Sequence, residues 1–276
     1  MHDSASLPFH KAYGGDPIEM NFRPWSCIHL PFYWHFREVL RQSPTRSDNW
    51  LSRNGDVLGD PEQLVLVRIS LYSYHCFTSF VDAMETLREL RAYVDGGKVY
   101  DILYIKRTFS NGFTSIYRAV SAICNVVDEL CNMPGPTQKS RPKSKILQEL
   151  EKHSSFDSRE CARLLRKADE KLAPRTHLDH YHLAWILADP KARVFLVDRE
   201  IVTKGIIRLE QPGLDQFENG FDILFRYITD ASAICNQVYQ ILAKKDGLLD
   251  VFLSSKSWRV NYKDYGEPWN GQRPIP

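Results

Sequence analysis

The sequence predicts a mainly α-helical protein, an antiparallel bundle of long helices with a small β-hairpin inserted near residues 193–208. Three observations carry this. Two long stretches place apolar residues at spacings of three and four, which marks one buried stripe on each of two helices. The sequence Asp95-Gly96-Gly97 separates them, and glycine tolerates the left-handed backbone that ends a helix. Late in the chain the composition changes to β-branched residues, the sign of a strand pair.

The first stripe runs Leu66, Ile69, Cys76, Phe80, Met84, Leu87 and Leu90 or Arg91, within a helix from Glu62 to Tyr93. The second runs Ile102, Ile105, Phe109, Phe113, Ile116, Val120, Ile123, Val127 and Leu130, within a helix from Lys98 to Asn132. A short turn between two long amphipathic helices implies an antiparallel hairpin, each arm roughly 45 Å long at 1.5 Å per residue. The second helix stops near Met133-Pro134-Gly135-Pro136. The polar stretch Thr137 to Lys145 follows, with Lys139, Arg141, Lys143 and Lys145. It reads as a solvated loop, with a phosphate-contacting patch as the functional alternative.

Short helices are expected from about Ser144 to Lys152 and from about Asp157 to Leu172, the latter capped by Asp157 or Ser158. Pro174 suits the first turn of a further helix, carrying Arg175 to about Leu187 and ending before Asp189-Pro190. The hairpin pairs Arg193–Val197 with Ile201–Ile207 across Asp198-Arg199-Glu200. A last helix spans about Leu214 to Lys245, with Leu224, Tyr227 or Ile228, Ala231, Ile234 or Cys235, Val238 and Leu242 on its apolar face. The chain thus divides into an irregular, aromatic-rich arm (1–60) that packs on the bundle, the bundle itself (61–253) and a tail (254–276). In the arm, Phe22 to Trp25 and Pro31 to Phe36 crowd aromatics with few basic residues between them, which favours packing over base stacking.

Composition excludes some classes. With 276 residues and 43% hydrophobic content the chain can bury a substantial core. A net charge of +2 is low for a protein whose main task is coating nucleic acid. No uncharged apolar run of about 18 residues occurs, so no membrane span is expected. The first residues lack a basic region followed by an apolar run, so a secretory signal is not expected and a cytoplasmic location is. The six cysteines form no C-x-x-C pair and read as reduced, mostly buried thiols. Glycine-rich phosphate loops, the H-E-x-x-H zinc motif and the G-x-S-x-G nucleophile elbow are all missing.

The densest chemistry lies in Arg175-Thr176-His177-Leu178-Asp179-His180-Tyr181-His182. Histidines making ordinary surface hydrogen bonds are one reading. A zinc site of His177, His180, His182 and Asp179 is another, but on an ideal helix His182 points about 140° away from His177. No metal or other cofactor is therefore expected. The third reading is acid–base chemistry on a phosphodiester. A guanidinium holds a phosphate with a two-pronged contact, and a histidine moves a proton near neutral pH. In RNA the neighbouring 2′-hydroxyl supplies the nucleophile. On a helix Arg175 and His182 share a face, whereas Arg175 and His180 are about 140° apart and meet only at a deformed helix start or across a dimer groove.

Arg175-(four residues)-His180 resembles the R-x4-6-H motif of HEPN domains, the higher-eukaryote and prokaryote nucleotide-binding family, and His182 satisfies the longer spacing. The resemblance spans about residues 62–245. It departs from the family at Thr176, where Asn, Asp or His is common, and at His182, where some toxin members carry tyrosine. It implies a helical bundle that dimerises and brings two motifs into one basic cleft, acting as a metal-independent ribonuclease, in several members as a toxin or in antiviral defence. Arg175 would hold the scissile phosphate, His180 or His182 would be the general acid or base, and Thr176, His177 and Asp179 would bind or orient. RNA, a second copy of the chain and an antitoxin or regulatory protein are the partners this implies. The alternative is a non-catalytic helical module that dimerises or binds a protein or nucleotide.

Overall fold

A computed structural model describes residues 61–132, 141–172, 186–200, 212–249 and 251. The aromatic arm, the motif from Arg175 to His182, the expected strand at 201–207 and the tail lie outside the described residues.

Helix α1 (Pro61–Asp95) and helix α2 (Ile102–Asn132) form the expected antiparallel pair. Proline at the first position of α1 removes only an N–H that has no helical partner there. The α1 terminus closes with Gly96 N–H donating to Ala92 O at 3.0 Å and Lys98 N–H to Tyr93 O at 3.3 Å. Gly97 stands between them at φ 81°, the left-handed conformation for which the Gly-Gly sequence selects. Asp101 then caps α2. One carboxylate oxygen accepts the Tyr104 N–H at 3.1 Å and the other the Tyr93 hydroxyl at 2.6 Å. The Tyr93 and Tyr104 rings stack at 4.0 Å, so the corner is held by side chains as well as backbone.

Helices α3 (Lys143–Lys152), α4 (Phe156–Leu172) and α5 (Gly220–Ala243) complete the described helices. α2 packs against α1, α3, α4 and α5. Its sequence allows this. Ile105, Phe109, Phe113 and Ile116 supply one buried stripe, and from Ala119 onward burial spreads round the helix to Ala122, Cys124 and Val126. A helix that is apolar on all sides belongs in the middle of a bundle. Gly112 lets α5 close on α2, since a Cβ there would lie 2.9 Å from Leu224.

A three-stranded antiparallel sheet sits against this bundle, in the order β1 (Ile186–Asp189), β2 (Val194–Asp198), β3 (Phe217–Asn219). This corrects the hairpin expected at 193–208. β2 pairs backwards with β1, Ile186 opposite Val197, and its other neighbour is β3. The run Ile186-Leu187-Ala188 suits the end of a helix or a buried strand equally in pattern. The turn chemistry decides: the Asp189 carboxylate accepts the N–H groups of Lys191 and Ala192 at 3.1 and 3.0 Å, and Arg193 adopts φ 51°. Asp198-Arg199-Glu200 is not the hairpin turn. The buried Asp198 carboxylate accepts the Glu200 N–H at 2.9 Å and caps a helical turn starting at Arg199.

Two helix starts also differ. α5 begins at Gly220 rather than near Leu214, because Asn219 accepts the Phe221 N–H at 3.0 Å while Phe217–Asn219 pairs with β2. α4 begins at Phe156, so Asp157 and Ser158 both lie inside it and neither is its cap. From β2, Phe195 enters the bundle edge-on to Phe109 at 5.5 Å and Phe221 at 4.9 Å. The chain of rings continues through Phe113 to Tyr227.

Removing a ring from this core leaves a cavity. Phe80→Ala and Phe113→Ala should each cost roughly 3–5 kcal/mol in chemical denaturation. Gly220→Ala should cost roughly 1–3 kcal/mol, since its Cβ would stand 1.9 Å from the buried Phe195 ring. A wild-type midpoint for any of the three would place these rings outside the core.

Candidate functional site

The predicted site residues Arg175, Thr176, His177, Asp179, His180 and His182 lie outside the described residues, between Leu172 at the end of α4 and Ile186 at the start of β1. Both flanking residues are buried in the core.

Next to the point where the chain leaves α4 is an open cleft of about 420 Å³. Lys171 of α4, Arg199 beyond β2, Glu218 of β3, and Arg226, Tyr227 and Asp230 of α5 line it. Three cations and two carboxylates leave one positive charge in excess. Arg226 donates to both oxygens of Glu218, at 2.7 and 3.2 Å, and this pairing raises the guanidinium's pKa. Lys171 meets Asp230 at 2.7 Å. Tyr227 forms part of the wall, its ring edge-on to the buried Phe113 at 4.9 Å, and burial pushes its hydroxyl pKa up. The Arg226 and Lys171 side chains are 47% and 43% exposed. Pairs so exposed are held by roughly 0–1 kcal/mol, so an incoming anion can exchange with the carboxylates.

A second polar group is interior, and sequence reasoning missed it. Asp128 and Glu129 of α2 are buried. Arg141 bridges Asp128 and Glu149, and the Asn132 amide also donates to Asp128 at 2.6 Å. Lys143 pairs with Asp169 and sits 3.7 Å above the Tyr117 ring. Arg141 and Lys143 are therefore tied by ion pairs to the edge of the bundle, in place of the solvated loop expected there. The sequence holds a signal for this. Asp128 follows Cys124 by one turn and Val120 by two, so it lies on the apolar stripe.

A third group resembles a nucleophile beside a base. The Ser158 hydroxyl is 3.0 Å from His153 Nδ1 and 2.9 Å from the Cys131 thiol. His153 Nδ1 also accepts the Ser155 N–H at 3.1 Å. Ser158 is fully buried and burial pushes the Cys131 thiol up to about 11, so neither is an accessible nucleophile. The trio fastens the start of α4 to the end of α2. Among the described residues no group of histidine, cysteine and carboxylate has the arrangement of a metal site.

No protein-family model matches the chain, and no curated protein and no solved structure matches it. Its function is thus argued from its own chemistry. Among the described residues no helix is long and apolar enough to cross a membrane.

Arg141→Ala should cost roughly 3–5 kcal/mol, because it strands the buried Asp128 carboxylate. Arg141→Met with Asp128→Asn should recover more than half of that loss. Equal stability of wild type and Arg141→Ala in urea unfolding would show the pair to be energetically silent.

Proposed function

We propose that the protein binds RNA and cleaves it without a metal, with the segment from Arg175 to His182 as the catalytic part and the cleft beside it as the backbone-binding part. Arg175 holds the scissile phosphate, and His180, with His182 as its rival, moves the proton. Thr176, His177 and Asp179 orient them. The observation that carries this reading is the position of Lys171. It lines the cleft with Arg199, Arg226 and Tyr227, and Arg175 follows it by only four positions. Four residues of chain span at most about 14 Å, the length of two or three nucleotides' worth of backbone. A phosphate held at Arg175 therefore has its neighbours within reach of the cleft cations. The tyrosine offers an edge or face to a base.

The helical architecture agrees with the HEPN-like reading in its coarse form, a long antiparallel helix pair before the motif and a further long helix after it. The finer assignment to that family, a homodimer that brings two motifs together, and a neutralising antitoxin partner are part of the proposal.

The test is a labelled single-stranded RNA followed for binding by fluorescence anisotropy and for cleavage on a gel. Arg175→Ala and His180→Ala should each lower cleavage about 10²–10⁴-fold with an unchanged melting temperature. Arg175→Lys should fail too, since an ammonium lacks the two-pronged contact. His182→Ala decides between the two histidines. Arg226→Glu should weaken binding and flatten its salt dependence. A chelator should leave cleavage intact. Wild type that binds RNA without cutting it would make the protein a binding module. Melting of the Arg175→Ala variant would make that arginine structural.

A further inference from the structure

Asp128 and Glu129 are consecutive on α2, and the bundle treats them differently. Asp128 Oδ1 accepts both from the Arg141 guanidinium and from the Asn132 amide, the latter at 2.6 Å. Glu129, 5% exposed, accepts a single long contact from Arg68 of α1, 3.5 Å from Nη1 to Oε2. The charged and titratable groups that bear on it come from each neighbouring element. α1 supplies Arg68 and, one turn on, Tyr72. α2 supplies Asp128, and Arg141 approaches from the residues leading into α3. Behind Arg141 stands Glu149 of α3, and the Lys143–Asp169 pair, near Cys124 one turn back, ties α3 to α4. A carboxylate in this position has lost most of its water, neighbours a second carboxylate, and receives one weak hydrogen bond in return. Its neutral form suits the site better than its charged form.

We propose that the buried Glu129 carboxyl is a proton-operated clamp between α1 and α2, closed while it is neutral and loosened when it ionises, because the cost of burying its charge outweighs the attraction of Arg68. It stands independently of any role of the Arg175 segment. Burial, opposed in part by Arg68, pushes the Glu129 carboxyl up to about 7 from an ordinary 4.5. The folded value lies above the unfolded one. The stabilising contribution is therefore complete below about pH 4.5 and is lost as pH rises through about 7. Ionisation places an under-solvated charge between two long helices, beside an Arg68 side chain that is itself only 16% exposed.

The experiment compares wild type with Glu129→Gln, which mimics the neutral acid, from pH 5 to 8.5. The folded-to-unfolded ratio of wild type should fall about a hundredfold more across this range than that of Glu129→Gln, and at pH 8 the variant should be the more stable of the two. Amide exchange, corrected for its intrinsic pH dependence, should show protection near Arg68 falling with pH in wild type and staying level in the variant. Because histidines titrate in the same range, the wild-type-minus-variant difference is the readout. Carbon-13 labelling of glutamate carboxyls gives a second measurement that needs no stable variant, since the Glu129 signal should titrate near neutrality. Parallel pH slopes for the two proteins, or a Glu129 carboxyl that titrates near 4.5, would overturn the clamp.

Discussion

The near-complete burial of the second half of α2 is the constraint on which the remaining structure depends. α1 lies along its length, α3 and α4 cover its second half, and α5 crosses it at Gly112. From Val126 to Leu130 every residue of α2 is buried, so its neighbours must arrive in fixed places. The aromatic chain through Phe109 and Phe195 extends the same packing into the sheet. Close packing of this kind transmits small changes, since each ring edge is the seat of the next. That is why a single Cβ at Gly220 conflicts with a side chain of β2.

The enclosure also explains the charges at the end of α2. Asp128 and Glu129 fall where a purely apolar helix would carry two more aliphatic residues, and the bundle meets them with two arginines of different reach. The Arg141–Asp128 pair adds little net stability compared with well-packed apolar residues, yet removing one partner is costly. It acts as specification. Arg141 can satisfy Asp128 and Glu149 together only if the chain enters α3 at one place, so the pair fixes where α3 starts against α2.

The features legible in the sequence are those with a period. The α1 and α2 stripes, the Asp95-Gly96-Gly97 turn and most of the α5 face lie where spacing places them, because burial along a long helix repeats every three or four residues. The sheet was harder to read for a physical reason. β1 has four residues and β3 three, too few to display alternation, and each is bounded by a side-chain cap from Asp189 or Asn219. Those caps suit a turn and a helix start alike. The interior ion network was invisible because pairing between Arg68 and Glu129, 61 residues apart, leaves no local trace. The chemistry at Arg175–His182 was legible as a concentration of residue types, while its geometry falls on residues outside those described.

Ion pairs of the same chemical kind have opposite consequences in the two charged regions of this molecule. Arg141, 15% exposed, faces Asp128 at 9%, and both have given up most of their water, so an anion exchanges with that carboxylate far less readily than at the surface. Arg226 and Lys171 keep nearly half their side-chain surface in solvent, and their partners Glu218 and Asp230 hold them weakly. The adjacency of Lys139, Arg141, Lys143 and Lys145 in the sequence therefore does not by itself mark a cluster of hydrated cations. At least two of the four are tied by ion pairs to the edge of the bundle, whereas Lys171, Arg199 and Arg226, scattered over 56 positions from first to last, come together at one surface cleft. Where a polyanion would land is decided by which cations remain hydrated and exchangeable rather than by which are adjacent in the chain, and under the proposed function that criterion selects the cleft beside the exit of α4.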